Sequence, residues 1–269
     1  MQHIQWVDGQ ADDHPAWMDR GLLFADGVFE SMRVQDGGLP LWSWHRDRLM
    51  QAIDSLHLPV SMARIEDHLA GHLAQLKEGV LRLTLTRGQG GGYRPRADAK
   101  VCLISQWREL GTGPSGLRAT LLQQRLGHVP MLAGLKHLQK LEQVLLQGEL
   151  DSHPGCDEAL VQDIAGQVIE GVASNVFMVH RYVLHTPAIE QCGVAGVMRA
   201  WILDRCRRVR IPTRIRALEV SDFLNADEVF FCNAVRGIMP VHELLGRSMT
   251  TGVITSKLQL ELAQVLRHA

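Results

Sequence analysis

Lys136, Glu170, a glycine-bearing turn at residues 193–198 and a serine on residues 28–34 are where this chain carries chemistry. Lys136 lies in residues 132–147, L-A-G-L-K-H-L-Q-K-L-E-Q-V-L-L-Q, where Leu135, Leu138, Leu141 and Leu145 recur at helical spacing. The spacing predicts one helix with a core-facing stripe, Lys136 and His137 at its mouth, and Gly134 supplying a bend before it. Most helix lysines are solvated. One at the mouth of a buried helix can have its pKa lowered far enough to serve as nucleophile or base. Glu170 ends a predicted strand in apolar company, before G-V-A-S-N, and a carboxylate there needs a partner. G-V-A-G-V-M, residues 193–198, runs into a predicted helix whose first N–H groups and dipole suit a phosphate.

Further polar side chains surround these. On a strand over residues 28–34, alternation puts Phe29, Ser31 and Arg33 on one face and Val28, Glu30 and Met32 on the other. Ser31 beside Arg33 makes either a polar pocket wall or an ordinary edge strand. A helix over residues 45–57 opens H-R-D-R-L, with Arg46 and Arg48 in its first turn. The helix dipole disfavours cations there unless an anion is held against them. R-G-Q-G-G-G-Y-R-P, residues 87–95, is a glycine loop whose Tyr93 and Arg94 either close over an acidic substrate or form a bare hairpin tip. No helix pattern follows it directly, so it is not a phosphate loop of the Rossmann or Walker kind.

The elements that position these residues are legible from periodicity. Residues 4–7 read as a strand entering an Asp8-Gly9 turn of type I′, and Asp36, Gly37 and Gly38 turn the chain into residues 39–42. Ile65, Leu69, Leu73 and Leu76 mark a helix, residues 80–87 alternate as a half-buried strand, and residues 101–107 form another. E-L-G-T-G-P-S-G, residues 109–116, reads as a linker, dividing an N-terminal α/β domain (1–108) from a C-terminal domain (117–269). Strands follow near 119–123 and at 156–163, 167–170, 175–180, 183–186 and 228–232. One helix carries Met198, Ile202, Cys206 and Val209, and another closes the chain through Leu258, Leu262 and Val265.

Composition narrows the functions. The 269 residues, 46% hydrophobic, suffice for one large domain or two moderate ones. Lys plus Arg (28) nearly cancels Asp plus Glu (29), so no bulk attraction to nucleic acid or membrane is expected. The N-terminus lacks a signal-peptide pattern and no apolar run spans a bilayer. Cys102, Cys156, Cys192, Cys206 and Cys232 form no CxxC pair and are expected to be reduced in a cytoplasmic protein. Thirteen histidines are many, but no structural metal is expected.

Taken in order, D-R-G-L-L-F-A-D-G-V-F-E (19–30), H-R-D-R-L (45–49), A-G-L-K-H-L-Q-K-L-E-Q-V (133–144), D-E-A-L-V (157–161), E-G-V-A-S-N-V-F (170–177), G-V-A-G-V-M-R (193–199) and A-D-E-V (226–229) resemble the fold-type IV pyridoxal-phosphate enzymes. These include branched-chain and D-amino-acid transaminases, and the motif around Lys136 is most similar to their aminodeoxychorismate lyase branch, which serves folate synthesis. The resemblance implies an α/β (α+β) fold of two domains with pyridoxal 5'-phosphate between them, usually as a homodimer. It implies that Lys136 bonds to the cofactor, Glu170 pairs with the pyridine nitrogen, and Arg48 with the backbone of Val197 and Met198 holds the phosphate. In the implied reaction Lys136 takes the C4 proton of 4-amino-4-deoxychorismate. Loss of the C3 enolpyruvyl ether then yields 4-aminobenzoate and pyruvate.

The resemblance points to Ser31 as the hydroxyl for the leaving oxygen, at a position where family lyases commonly carry threonine and branched-chain transaminases glycine. Two departures stand out. The family's R-G-Y order is reversed here, Tyr93 preceding Arg94, although the resemblance still assigns both to the substrate. The usual phosphate-binding hydroxyls near residues 233–237 are missing. The alternatives are a D-amino-acid or branched-chain aminotransferase on the same fold, or a non-catalytic binding module.

Overall fold

The computed structural model describes residues 15–267, preceded by two short strands, β1 (Trp6–Val7) and β2 (Gln10–Ala11), that pair antiparallel. The expected turn at Asp8 and Gly9 lies outside the described residues. Asp19 caps the short helix α1 (Arg20–Phe24), its carboxylate accepting the Gly21 N–H at 2.7 Å.

The first sheet is antiparallel, in the order β3 (Gly27–Val34), β4 (Gly79–Thr86), β5 (Cys102–Arg108), with α2 (Trp42–Leu56) and α3 (Met62–Leu73) between β3 and β4 in the chain. Strand alternation divides its two faces. Val28 and Met32 with Leu81, Leu83 and Leu85 bury themselves against Leu49 and Ile53 of α2 and Ile65 and Leu69 of α3. The other face carries Phe29, Ser31 and Arg33, with Thr84 and Arg82 directly across from Phe29 and Ser31. Helix α2 starts at Trp42 rather than at residue 45, so Arg46 and Arg48 stand in its second turn. The first-turn dipole penalty expected for them therefore does not arise.

Residues 109–116 carry no helix or strand and lead into the second sheet. Its elements are β6 (Leu117–Leu126), α4 (Leu141–Asp151), β7 (Glu158–Asp163), β8 (Val168–Glu170), β9 (Asn175–His180), β10 (Val183–Pro187), α5 (Val197–Arg208), β11 (Thr213–Arg216), α6 (Val220–Leu224), β12 (Glu228–Asn233), β13 (Gly237–Leu244), β14 (Arg247–Ser248) and α7 (Val253–Arg267). The strand order is β11-β10-β9-β12-β13-β6-β7-β8, with β14 on β13. Helices α5 and α7 pack Met198, Ile202, Leu258 and Leu262 on Phe177 and Phe230, while Phe223 of α6 packs with Val176, Phe231 and Val241. A mixed sheet covered by helices beside a smaller sheet is the α/β (α+β) class expected. Strand β13 was hidden in the sequence by Pro240, which argues against a central strand. Pro240 lies opposite Phe230 on β12, and β6 joins only from Val241 onward, so the missing N–H breaks no ladder on that side.

The largest departure concerns the segment around Lys136. No helix spans residues 132–147; α4 begins at Leu141. Leu141, Val144 and Leu145 are exposed, and Leu146 and Leu150 make the core contact instead.

Candidate functional site

Lys136 sits in an extended segment that stitches the two sheets together. On one side the Phe29 N–H donates to the Lys136 carbonyl and the Leu138 N–H to the Gly27 carbonyl, both at 3.0 Å, continuing the free edge of β3. On the other, the Gly134 N–H donates to the Gly193 carbonyl at 2.9 Å and the Ala195 N–H to the Gly134 carbonyl at 3.0 Å. These long-range backbone bonds take the groups that an earlier helix start would have used. Gly134 has φ +82°, which lets the chain pass from one edge to the other. The Lys136 side chain turns onto Phe29, its Nζ lying 4.4 Å from the ring centroid. Burial, with the positive charges of Arg48 and Lys140, lowers its pKa to about 8 against the opposing pull of Glu30 and Glu170.

Glu170 ends β8 fully in the interior. Burial pushes its carboxyl up to about 7, although Oε2 accepts the Val194 N–H at 2.9 Å and Lys140 and Lys136 are nearby. The loop passes close because residue 193 is glycine: a Cβ there would lie 2.6 Å from Ile169 Cγ2 and 3.3 Å from Glu170 Oε2, on a backbone with φ +85°.

Arg48 reaches from α2 across to the same loop. Its Nε and Nη2 grip both oxygens of Glu30, and Nη1 donates to the Ala195 carbonyl at 3.2 Å. His45 Nδ1 completes the buried cluster, 2.7 Å from Glu30 Oε2. Burial would raise the Glu30 carboxyl, but Arg48 and His45 outweigh it and hold it at about 2. The fork geometry fixes Arg48 beside the start of α5 while leaving N–H groups unspent. At that start Gly196 gives no side-chain cap, and Asn175 braces the turn by accepting the Gly196 N–H at 3.0 Å and donating to the Val194 carbonyl at 2.8 Å. Among the described residues no acceptor meets the N–H groups of the buried Val197 and Met198. Free N–H groups at a buried helix N-terminus beside an arginine suit a phosphate dianion.

Ser31 is half-buried on the face of β3 that also presents Phe29. Its cross-strand partner Arg82, which sequence reasoning passed over as the polar phase of a strand, lays its guanidinium 3.9 Å from the Phe29 ring centroid. Among the described residues no carboxylate pairs with Arg82, whose pKa burial lowers. Pairing β3 with β4 in register would have found it. Arg33 instead turns to Glu78 at 2.7 Å. Tyr93 and Arg94 are exposed on the glycine loop, where Arg20 holds the Gly92 and Tyr93 carbonyls and the Tyr93 ring meets Phe24 at 5.6 Å. The structure thus gathers Lys136, Glu170, Arg48, Val197, Met198 and Ser31, and no hydrogen bond or ion pair among the described residues links Tyr93 or Arg94 to them.

The donor set fits pyridoxal phosphate at each end. An amine of lowered pKa faces the same interior as a buried carboxyl able to share a proton with a pyridine nitrogen. Arg48 and the N–H groups of Val197 and Met198 supply the phosphate end. A profile of the amino-transferase class IV family matches residues 27–244. The chain is similar to the aminodeoxychorismate lyase of Vibrio harveyi, with 30% identity over 88% of this chain and 89% of the relative. It is also similar to a putative branched-chain-amino-acid aminotransferase of Methanocaldococcus jannaschii, with 33% identity over 95% and 92% of the two chains. The crystal structure of 4-amino-4-deoxychorismate lyase from Pseudomonas aeruginosa superposes with a TM-score of 0.89 at 38% identity, covering 96% of this chain and 98% of that one. With a family match over most of its length, the chain belongs to the amino-transferase class IV family.

Proposed function

We propose that this protein is a pyridoxal-phosphate-dependent lyase that converts 4-amino-4-deoxychorismate to 4-aminobenzoate and pyruvate. When bound, the cofactor supplies an aldehyde carbon for an amine and a protonated pyridine ring that accepts electron density. Lys136 holds it at the aldehyde, Glu170 keeps the pyridine nitrogen protonated, and Arg48 with the Val197 and Met198 N–H groups holds the phosphate. With substrate in the site, the Lys136 amine would be available as a base. A pKa of about 8 leaves a useful neutral fraction of the amine near neutral pH, so it can remove the C4 proton. The C3–O bond then breaks, the ring becomes aromatic, and the ether oxygen leaves in the enolpyruvyl group that ends as pyruvate.

Two residues on the Phe29 face complete the site. Ser31 gives its hydroxyl hydrogen bond to the departing ether oxygen, and Arg82 takes a substrate carboxylate as a charge-assisted partner. The observation that carries the lyase assignment is this Ser31–Arg82 pair on the strand face that also packs under Lys136. A transaminase has no leaving ether oxygen and no use for a hydroxyl there.

The same proposal includes a homodimer in the cytoplasm, with the cofactor between residues 1–108 and residues 117–269. Exposed Leu141, Val144 and Leu145 along one side of α4 support a covered face. Tyr93 and Arg94, both exposed on the glycine loop, support a substrate contact across that dimer. No helix among the described residues is long and apolar enough to cross a membrane, and all five cysteines are free. The test is product stoichiometry: pyruvate and 4-aminobenzoate in equal amounts, with no keto acid supplied. A requirement for a keto-acid acceptor would instead assign the aminotransferase reaction suggested by the archaeal relative's name.

A further inference from the structure

His128, Asp163 and Cys192 come from separate stretches of chain and converge at one end of the second sheet. His128 follows β6, Asp163 ends β7, and Cys192 immediately precedes Gly193. The His128 Nε2 lies 2.9 Å from Asp163 Oδ2, and an imidazole nitrogen, a carboxylate oxygen and the Cys192 sulfur all fall within 4.8 Å of one another. Asp163 and Cys192 are buried and His128 is half-buried, so the cluster opens to solvent on the imidazole side.

The surroundings hold these groups in position. Asp163 Oδ1 accepts the Ala165 N–H at 3.0 Å and the Gln167 N–H at 2.9 Å, which aims Oδ2 at the histidine. The Val129 N–H donates to the Gln191 carbonyl at 2.8 Å, tying the histidine-bearing segment to the cysteine-bearing one. Glu142 Oε1 accepts the Gly127 N–H at 2.9 Å and brings a further carboxylate alongside.

We propose that His128, Asp163 and Cys192 form a site for one thiophilic divalent cation of the Zn²⁺ class. Nitrogen, oxygen and sulfur donors together suit this class better than Mg²⁺ or Ca²⁺, which take oxygen ligands. With metal–ligand bonds of about 2.0–2.3 Å, donors of a tetrahedral site stand roughly 3.3–3.8 Å apart. The cluster reaches that spacing through small side-chain shifts, with water as fourth ligand on the open side. As the sulfur–metal bond forms, Cys192 gives its thiol proton to solvent. The site departs from the metal-free expectation because its ligands lie 35 and 29 residues apart, with no compact spacing to betray them. The compact spacing that does exist, His68 and His72 at i, i+4 on α3, brings two rings edge to face at 5.2 Å and has no third ligand among the described residues.

The test uses the cofactor-loaded enzyme, stripped by chelator, dialysed against Zn²⁺ and assayed for bound metal. One equivalent per chain is expected for the wild type and for Cys156→Ser. Cys192→Ser and His128→Ala should each weaken binding at least about tenfold while retaining the visible absorbance of bound cofactor. Cd²⁺ should give an ultraviolet sulfur-to-metal charge-transfer band in the wild type and none in Cys192→Ser. Absence of stoichiometric Zn²⁺ in the wild type, or wild-type binding in both variants, overturns the site. If Cys192→Ser fails to fold, His128→Ala, which alters a half-exposed side chain, decides alone.

Discussion

The Val194 N–H donates to Glu170 Oε2 at 2.9 Å, and the same residue pairs with Gly134, two positions before Lys136. A few residues of loop therefore touch the interior carboxyl, the lysine-bearing segment and, through Gly196, the open N-terminus of α5. The groups that would meet the two ends of a cofactor are set on one braced piece of backbone. Arg48 closes the frame from the other sheet through the Ala195 carbonyl. Hydrogen bonds within the chain brace these groups, and bracing of this kind lowers the ordering cost that binding must meet.

Lys136 and Lys140 both have lowered pKa values and both lie in the field of Glu170, so the choice between them is open to experiment. Lys136 alone lies on the Phe29 ring. Borohydride reduction and peptide mapping should place the pyridoxyl group on Lys136. Lys136→Ala should abolish both the visible cofactor band and turnover, whereas Lys140→Ala should keep the band. An adduct found on Lys140 would reverse the assignment.

Glu170 gives a pH signature in the cofactor-free protein. Its folded pKa of about 7 stands above the ordinary value of 4.5, so the folded state holds a proton that the unfolded chain releases between those limits. Its contribution to stability is therefore complete below pH 4.5 and is lost as pH rises through 7. At about 1.4 kcal/mol per pKa unit, the loss is roughly 3 kcal/mol. Glu170→Gln should remove that slope, measured by denaturant unfolding at several pH values. It should also cut turnover by orders of magnitude, since an unprotonated pyridine accepts electrons poorly. Equal slopes in the two proteins would mean that Glu170 is ionised in the fold.

Much of this was legible in the sequence, and the exceptions have physical causes. Alternation located β3 and β4 because each buries one face, and the apolar spacing of Leu49, Ile53, Ile65 and Leu69 located α2 and α3. The leucines around Lys136 misled because four of them at helical spacing look alike whether they face a core or stand exposed. Leu135 packs with the first sheet's core, while Leu141 and Leu145 are exposed on α4. The glycine and hydrogen-bond partners that hold residues 134–138 extended lie in β3 and in residues 193–195, too far along the chain for periodicity to register. Arg82 escaped for the same reason: its partner on the site face, Ser31, is 51 residues away.

Arg82 makes a direct prediction about substrate binding. It stacks on Phe29 and has no carboxylate of its own among the described residues. Arg82→Ala should raise KM for aminodeoxychorismate by roughly ten- to a hundredfold, the scale of a lost charged hydrogen bond of about 1.5–3 kcal/mol, with cofactor affinity unchanged. Arg82→Lys should recover part of it, keeping the charge but losing the two-pronged geometry. An unchanged KM in Arg82→Ala would remove Arg82 from the site and leave it a packing partner of Phe29.

Ser31 is where a lyase and a transaminase differ most. Its hydroxyl shares a strand face with the ring that Lys136 contacts, and it stands across from Arg82. Breaking the C3–O bond leaves negative charge on an ether oxygen, and a positioned hydroxyl that hydrogen-bonds it lowers that barrier. Ser31→Ala should keep the cofactor band and slow pyruvate release by about a hundredfold, the usual scale for losing such a group. Ser31→Thr should retain activity, because it keeps the hydroxyl at the same carbon and adds only a methyl on a half-buried face. The comparison separates chemistry from space. If Ser31→Ala matches the wild type while Ser31→Thr is slow, the position needs a small side chain rather than a hydroxyl. The proton for the leaving oxygen would then come from a water or from Lys136, which already collects one from C4.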